Sequence, residues 1–258
     1  MPTRRWRTLL TAPDTGVANM ALDAALMEHA ERTGEWVCRV YAWREPTVSF
    51  GRNQAAVRHY DRDRIAGRGF GVVRRPTGGR AILHHREVTY AVAAPAADAG
   101  GLHESYLLIN RLLVDGLRSL GVDVSVAGSR VEAMQPGPIP CFDHPSSGEL
   151  VAGGRKLVGS AQWRSENALL QHGSILIDDD QGQLTALLRE PVTDPPPAAT
   201  LRELLGTPPS LTEVADAIFS AVRSDDPSAA PLPLDQQLLD SQARHAIQFR
   251  DAAWTWRR

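Results

Sequence analysis

The chain has 258 residues, 43% of them hydrophobic, six tryptophans and a formal charge of −2, enough to bury one substantial core. The charge balance gives no reason to expect nucleic acid, two cysteines provide no disulfide framework, and no apolar run approaches the roughly 20 residues that span a bilayer. The basic start lacks an apolar signal core, so a cytoplasmic location is the expectation, with no membrane partner.

Apolar residues at Met20, Ala24 and Met27, with Gly34 beyond, predict an amphipathic helix over Asn19 to Arg32 closed by a glycine cap. Trp36 to Trp43 is rich in β-branched and aromatic residues and reads as a strand; Glu45-Pro46 interrupts it before Thr47 to Phe50 resumes. A short helix is expected around Tyr60 to Ala66, then a strand from Gly71 to Arg75 running into Pro76-Thr77-Gly78-Gly79, and further strand from Ala81 to Ala94. Tyr106, Ile109, Leu113, Leu117 and Leu120 mark one helix face that stops at Gly121, followed by a strand at Val122 to Val126. From Glu149 to Asp178 the pattern predicts three strands, with a hairpin at Gly153-Gly154 and a polar turn near Ser165 to Asn167.

Beyond Glu190, Pro195 to Pro197 break the pattern, and Ser210 with Glu213 has capping-box spacing ahead of a helix to about Arg223. Pro227 to Pro233 reads as a linker to a last helix over Asp235 to Phe249. The expectation is a mixed α/β (α+β) body over residues 1–190, a twisted mixed sheet flanked by helices, with a proline-interrupted helical appendage over 191–258.

Lysine is used once, at Lys156, against 27 arginines. Arginine is permanently charged and forked, whereas a lysine ammonium is compact and can surrender its proton when buried, so the lone lysine is a candidate for chemistry rather than for charge alone. Cys141 follows Pro136-Gly137-Pro138-Ile139-Pro140, a stretch unsuited to regular helix or central strand, which places its thiol on a loop. Such a thiol becomes a nucleophile when a cation stabilises the thiolate, and Lys156 is a candidate cation. Cys38, inside a strand pattern, reads as a small buried hydrophobe.

Arg74-Arg75-Pro76-Thr77-Gly78-Gly79-Arg80 combines basic residues with glycines that let a ligand approach the backbone, but it is neither a P-loop nor a dinucleotide fingerprint. The many arginines could line clefts for acidic partners or phosphates. His84, His85, His144 and His172 show no metal-ligand spacing with the cysteines, so no metal site is expected.

In this order NMALDAAL from Asn19, RVYAWREPTVSFGRNQ from Arg39, RRPTGGRAILHHREVTY from Arg74, CFDHPSSGELVAGGRKLVGSAQWR from Cys141 and LLQHGSILID from Leu169 resemble the biotin/lipoate protein ligase superfamily. Within it the chain is similar to the cysteine-dependent octanoyltransferases of lipoate assembly. The resemblance implies that Cys141 takes an octanoyl chain from acyl carrier protein as a thioester and passes it to the lysine of a lipoyl domain, of the glycine cleavage H protein or a 2-oxoacid dehydrogenase subunit. It implies that Lys156 orients the acyl carbonyl and favours the thiolate. Arg75, Thr77, Gly78, Gly79, Arg80, His84, Gly159, Ser160, Ala161, Gln162 and His172 would then form the acyl-binding wall, with Gln171 beside the last.

No cofactor is implied, because thioester exchange is near balance and thioester-to-amide transfer is downhill; a monomer is expected. Ligases of the superfamily usually carry three glycines where this chain has Gly78-Gly79-Arg80, and His-Asp where it has His84-His85. The alternatives are an ATP-dependent lipoate ligase, a transferase between lipoyl domains, and an inactive carrier-binding partner.

Overall fold

The computed structural model describes residues 4–128 and 148–257. Its strands are β1 (Trp6–Leu10), β2 (Trp36–Tyr41), β3 (Thr47–Phe50), β4 (Gly71–Arg74), β5 (Ile82–His84), β6 (Glu87–Pro95), β7 (Ser125–Val126), β8 (Leu150–Ala152), β9 (Arg155–Arg164), β10 (Ala168–Leu176) and β11 (Ala230–Pro231). The helices are α1 (Gly16–Thr33), α2 (Ala56–His59), α3 (Arg62–Gly67), α4 (Leu102–Ser119), α5 (Leu201–Leu205), α6 (Leu211–Asp225), α7 (Gln236–Arg250) and α8 (Ala252–Thr255).

Eight strands form one mixed sheet in the order β11-β1-β2-β6-β10-β9-β8-β7, and β4-β3-β5 form a second, smaller sheet. β11, β1 and β2 run parallel, and the remaining neighbours of the large sheet are antiparallel. Alternation along β2 shows how the layers arise: Trp36, Cys38 and Val40 join the core under α4 and α6, while Val37 and Tyr41 face α1. Both faces are covered, so all six residues of β2 are buried. Cys38 is among them, its thiol pushed up to about 12 by burial, as the reading of it as a small hydrophobe requires.

The element order follows the sequence pattern, and the differences have physical causes. The helix predicted from Asn19 begins at Gly16, capped by the Thr15 hydroxyl, and ends at Gly34 in the left-handed region (φ 72°). It is buried on more than one side because α7 packs over its outer face, which explains its run of small residues better than a simple amphipathic stripe. The break at Glu45-Pro46 moves the chain from the large sheet (β2) to the small one (β3). The strand expected over Ala81 to Ala94 likewise divides into β5 and β6, in different sheets, at a bend where Arg86 adopts φ 30°. The hairpin at Gly153-Gly154 and the polar turn before Ala168 lie where expected.

Val122 to Val126 yields only the two-residue β7. The capping box at Ser210 and Glu213 is present. Pro227 to Pro233 is more than a linker, since Ala230–Pro231 pairs with β1 and so extends the large sheet.

One arginine fastens the C-terminal segment to the small sheet. Arg74, fully buried, donates to the carbonyls of Arg52 (3.1 Å) and Gln54 (2.8 Å) on one side, and of Trp254 (2.9 Å), Thr255 (3.1 Å) and Arg257 (3.2 Å) on the other. Burial, with Arg257 and Arg75 nearby, lowers its pKa to about 10, still charged at neutral pH. Replacing it by an apolar side chain leaves several buried carbonyls without their donor. Arg74→Met is therefore expected to cost about 3 kcal/mol, a fall on the order of 10 °C in Tm for a chain of this size. A thermal melt checks it, and an unchanged Tm would refute the fastening role.

Candidate functional site

A pocket opens where the two sheets meet α1. Met20 of α1, Tyr41 and Trp43 form one side. Arg75, Gly79, Ile82 and His84 form a second, from the loop between β4 and β5 and from β5 itself. Thr89 of β6, Gly159, Ser160 and Ala161 of β9, and His172, Gly173 and Ser174 of β10 complete it.

Its frame is a buried ion pair. Arg39 Nη1 lies 2.7 Å from Asp23 Oδ1, and the same guanidinium donates to the Asn19 carbonyl (3.1 Å), Asn19 Oδ1 (2.8 Å) and Thr11 Oγ1 (3.0 Å). Asp23 Oδ2 accepts from the Tyr41 hydroxyl (2.9 Å) and faces His172 Nδ1 (3.0 Å). Burial opposes the Asp23 charge, but Arg39 and the His172 hydrogen bond outweigh it and hold the carboxyl below the usual range. Burial also lowers the His172 pKa, against the pull of Asp23. His172 is thus neutral at pH 7. A carboxylate only accepts, so Nδ1 carries the proton and Nε2 accepts from the Thr77 hydroxyl at 2.7 Å.

His84 is held in the same way from the opposite wall. Its Nδ1 meets Glu87 Oε1 at 2.8 Å and its Nε2 meets Ser49 Oγ at 2.7 Å. Trp43 stacks on the His84 ring, centroids 3.9 Å apart and planes 12° apart, and its Nε1 donates to Thr89 Oγ1 at 2.8 Å. Arg75 latches the glycine loop, donating to the carbonyls of Gly78 (2.8 Å) and Arg80 (2.6 Å) and to Ser49 Oγ (3.0 Å). That loop comes close enough that a Cβ on Gly51 would lie 1.9 Å from the Gly79 carbonyl oxygen, so position 51 admits only glycine without a shift. On the other side a Cβ on Gly173 would meet Gly159 O at 2.5 Å and Ser160 Oγ at 2.8 Å.

The structure brings Arg75, Gly79, His84, Gly159, Ser160, Ala161 and His172 to the cavity wall. Thr77, Gly78 and Arg80 stand behind it as partners of His172 and Arg75. Gln162 turns away, to Ser105 of α4 (3.1 Å) and Gln171 (3.0 Å). Lys156 begins the strand whose middle lines the cavity. Its Nζ lies 2.7 Å from Glu149 Oε1, and both residues are buried. Cys141 and His144 lie outside the described residues. His85 faces Asp180, with Nδ1 2.9 Å from Oδ2. No group of three or more His, Cys, Asp or Glu among the described residues is arranged to hold a metal ion, and no described helix is long and apolar enough to cross a membrane.

Sequence reasoning missed Asp23, Tyr41, Trp43, Ser49, Glu87, Thr89, Glu149 and Ser174. A signal existed for the first two: Asn19 and Asp23 recur at i, i+4 in an otherwise apolar helix, and Arg39 and Tyr41 share one face of the adjacent strand.

Because folded His172 resists the proton that an unfolded histidine takes up near pH 6.5, it contributes stability above that pH, and the contribution is lost as pH falls below it. Denaturant melts across pH 5 to 7.5 are expected to show stability falling on acidification, with a shallower fall in His172→Gln. Parallel profiles would refute a buried neutral His172.

The description "lipoyl protein ligase A/B catalytic domain" matches residues 15–223. Octanoyltransferase LipM of Kyrpidia tusciae is 43% identical over 230 residues, 83% of this chain and 84% of its own. LipM of Staphylococcus aureus is 40% identical over 192 residues, 70% and 69% of the two chains. Among solved structures, lipoate-protein ligase A bound with ATP superimposes with a TM-score of 0.80 at 21% identity, over 98% of both chains. A bi-partite lipoate protein ligase from Thermoplasma acidophilum gives 0.78 at 20% identity, over 98% and 96%; these two likenesses concern the fold. By its matched residues and its relatives, the chain belongs to the lipoyl protein ligase A/B catalytic domain family and is an acyltransferase within it.

Proposed function

We propose that this protein moves an octanoyl group from acyl carrier protein, through a thioester on Cys141, to the lysine of a lipoyl domain in lipoate biosynthesis. The observation that carries the reading is the cavity itself. It is enclosed by Met20, Ile82, Ala161, Trp43 and the glycines, and its two histidines have both ring nitrogens engaged. Such walls ask little hydrogen bonding of a guest, which suits a saturated chain. Relatives carrying the name octanoyltransferase support the same substrate.

In this reading the Cys141 thiolate attacks the carrier's thioester carbonyl, the C–S bond to the carrier breaks, and the carrier thiol leaves with a proton. The neutral lysine amine of the acceptor then attacks the acyl-Cys141 carbonyl; the C–S bond breaks, the amide forms, and the Cys141 sulfur leaves with the proton given up by the nitrogen. Lys156 would support the thiolate and the developing oxyanion. Its buried contact with Glu149 Oε1, 2.7 Å away, would hold the ammonium in a fixed place behind the reacting carbonyl. Neither step needs ATP, since the donor is already activated.

The test is the intact mass of the protein after incubation with octanoyl carrier protein and no ATP. The expected result is a hydroxylamine-labile octanoyl adduct mapping to Cys141, absent in Cys141→Ser. Lys156→Arg is expected to slow its formation at least about 100-fold, because the bulkier fork cannot readily yield a proton. Modification of a lipoyl domain by free acid only when ATP is supplied would instead make the protein a ligase. Turnover by Cys141→Ser with a lipoyl domain as donor or acceptor would exclude the thioester route, and silence with every donor would leave a carrier-binding role.

A further inference from the structure

Next to the glycine loop of the cavity wall, arginine and tryptophan alternate in space. The Arg52 guanidinium lies 4.8 Å from the Trp163 ring centroid and 5.8 Å from that of Trp254, and Arg257 lies 4.1 Å from Trp254. Stacking occupies the flat face of a guanidinium and leaves its edge N–H groups for other partners. Among the described residues, the Arg52 side chain makes no hydrogen bond and no ion pair, and Arg257 makes one hydrogen bond, to the Arg52 carbonyl. Burial and the neighbouring Arg52 both lower the Arg257 pKa. Two like charges are therefore held together, partly exposed, with no carboxylate among the described residues to neutralise them.

The position of the pair gives the surplus charge a use. Arg52 follows Gly51, which abuts Gly79 of the cavity wall, and its backbone N–H donates to the Thr77 carbonyl at 2.7 Å. Trp163 is the next residue after Ala161 on the same side of β9, roughly 7 Å along the strand, and packs, as Trp43 and Trp254 do, against the buried cluster built on α1. Carboxylates seated on Arg52 and Arg257 would lie at the edge of the acyl site without entering it.

We propose that Arg52 and Arg257, set beside Trp163 and Trp254, dock the carrier protein that delivers the acyl thioester through clustered carboxylates on its surface. The inference rests on the reading of a carrier-borne donor. The tryptophan rings hold the guanidiniums within 4.1 to 5.8 Å of their centroids, so clustered carboxylates meet localised donors rather than freely moving side chains. Closely spaced like charges repel until an anion arrives, and this makes docking dependent on salt.

The experiment compares the wild type with an Arg52→Gln/Arg257→Gln double variant, using two donors: octanoyl carrier protein, and octanoyl-pantetheine, a neutral thioester with no protein attached. Acylation at limiting carrier is expected to fall at least about tenfold and to lose its salt dependence, while acylation by octanoyl-pantetheine is unchanged. Equal losses with both donors would mean that the arginines only hold the C-terminal segment, and no loss with the carrier would mean they do not meet it; either overturns the proposal. Slowed transfer to the lipoyl domain with normal acylation assigns the patch to the acceptor and also overturns it. Should the wild type acylate from neither donor, the functional reading fails separately, and calorimetry with the unacylated carrier decides the docking. Binding weakened by salt and by the double variant supports the patch, and absence of binding refutes it.

Discussion

The buried contact between Asp23 and Arg39 is the constraint on which the site depends. Removing two charges from water costs several kcal/mol per ion, and the attraction between them repays that only when the remaining donors and acceptors are also satisfied. Arg39 meets the requirement through Asn19 and Thr11, and Asp23 through Tyr41 and His172. Satisfying the pair therefore places α1, β2 and β10 relative to one another. His172 then passes the constraint to Thr77, and so to the glycine loop. The wall of the cavity is a consequence of solving a desolvation problem in the layer behind it.

That solution leaves the two cavity histidines fully engaged, with Arg75 as the charged group in the wall. His172 and His84 are tied at both ring nitrogens, and Trp43 covers the face of His84. A histidine so engaged is poorly placed to take a proton from a substrate without breaking a buried hydrogen bond. Among the described residues, Lys156 reaches its buried contact with Glu149 from the strand whose middle lines the cavity. An inert container for a chain and a separate place for charge is a reasonable division for an acyltransferase, since an aliphatic guest gains from burial and a reacting carbonyl gains from aimed charge.

Local patterns carried much of this into the sequence. The helix cap at Gly34, the hairpin at Gly153-Gly154 and the capping box at Ser210 were legible because each depends on a few neighbouring residues. The division of β2 from β3, and of β5 from β6, was not, because a break at Pro46 or Arg86 says that a strand ends and not which sheet the next one joins. The same limit applies to the site. Arg75, Gly79, His84, Gly159 to Ala161 and His172 were found through ordered motifs, whereas Glu87, Ser49 and Thr89 owe their place to pairings across the fold. Nothing in the spacing of Glu149 and Lys156 distinguishes a buried contact from two ordinary residues flanking a turn.

The unequal use of lysine and arginine gains a physical sense from four side chains. Arg74 spreads its donors over carbonyls from two distant segments, Arg75 spans the glycine loop, Arg39 serves an aspartate and three other acceptors or groups at once, and Arg52 lies against indoles. Each of these uses the planar fork, and an ammonium on a flexible stem could reproduce none of them. Lys156 occupies the opposite kind of place, buried with its Nζ 2.7 Å from Glu149 Oε1. The arginines hold the architecture because a planar fork reaches several acceptors at once; the lysine sets one compact head group against one buried carboxylate.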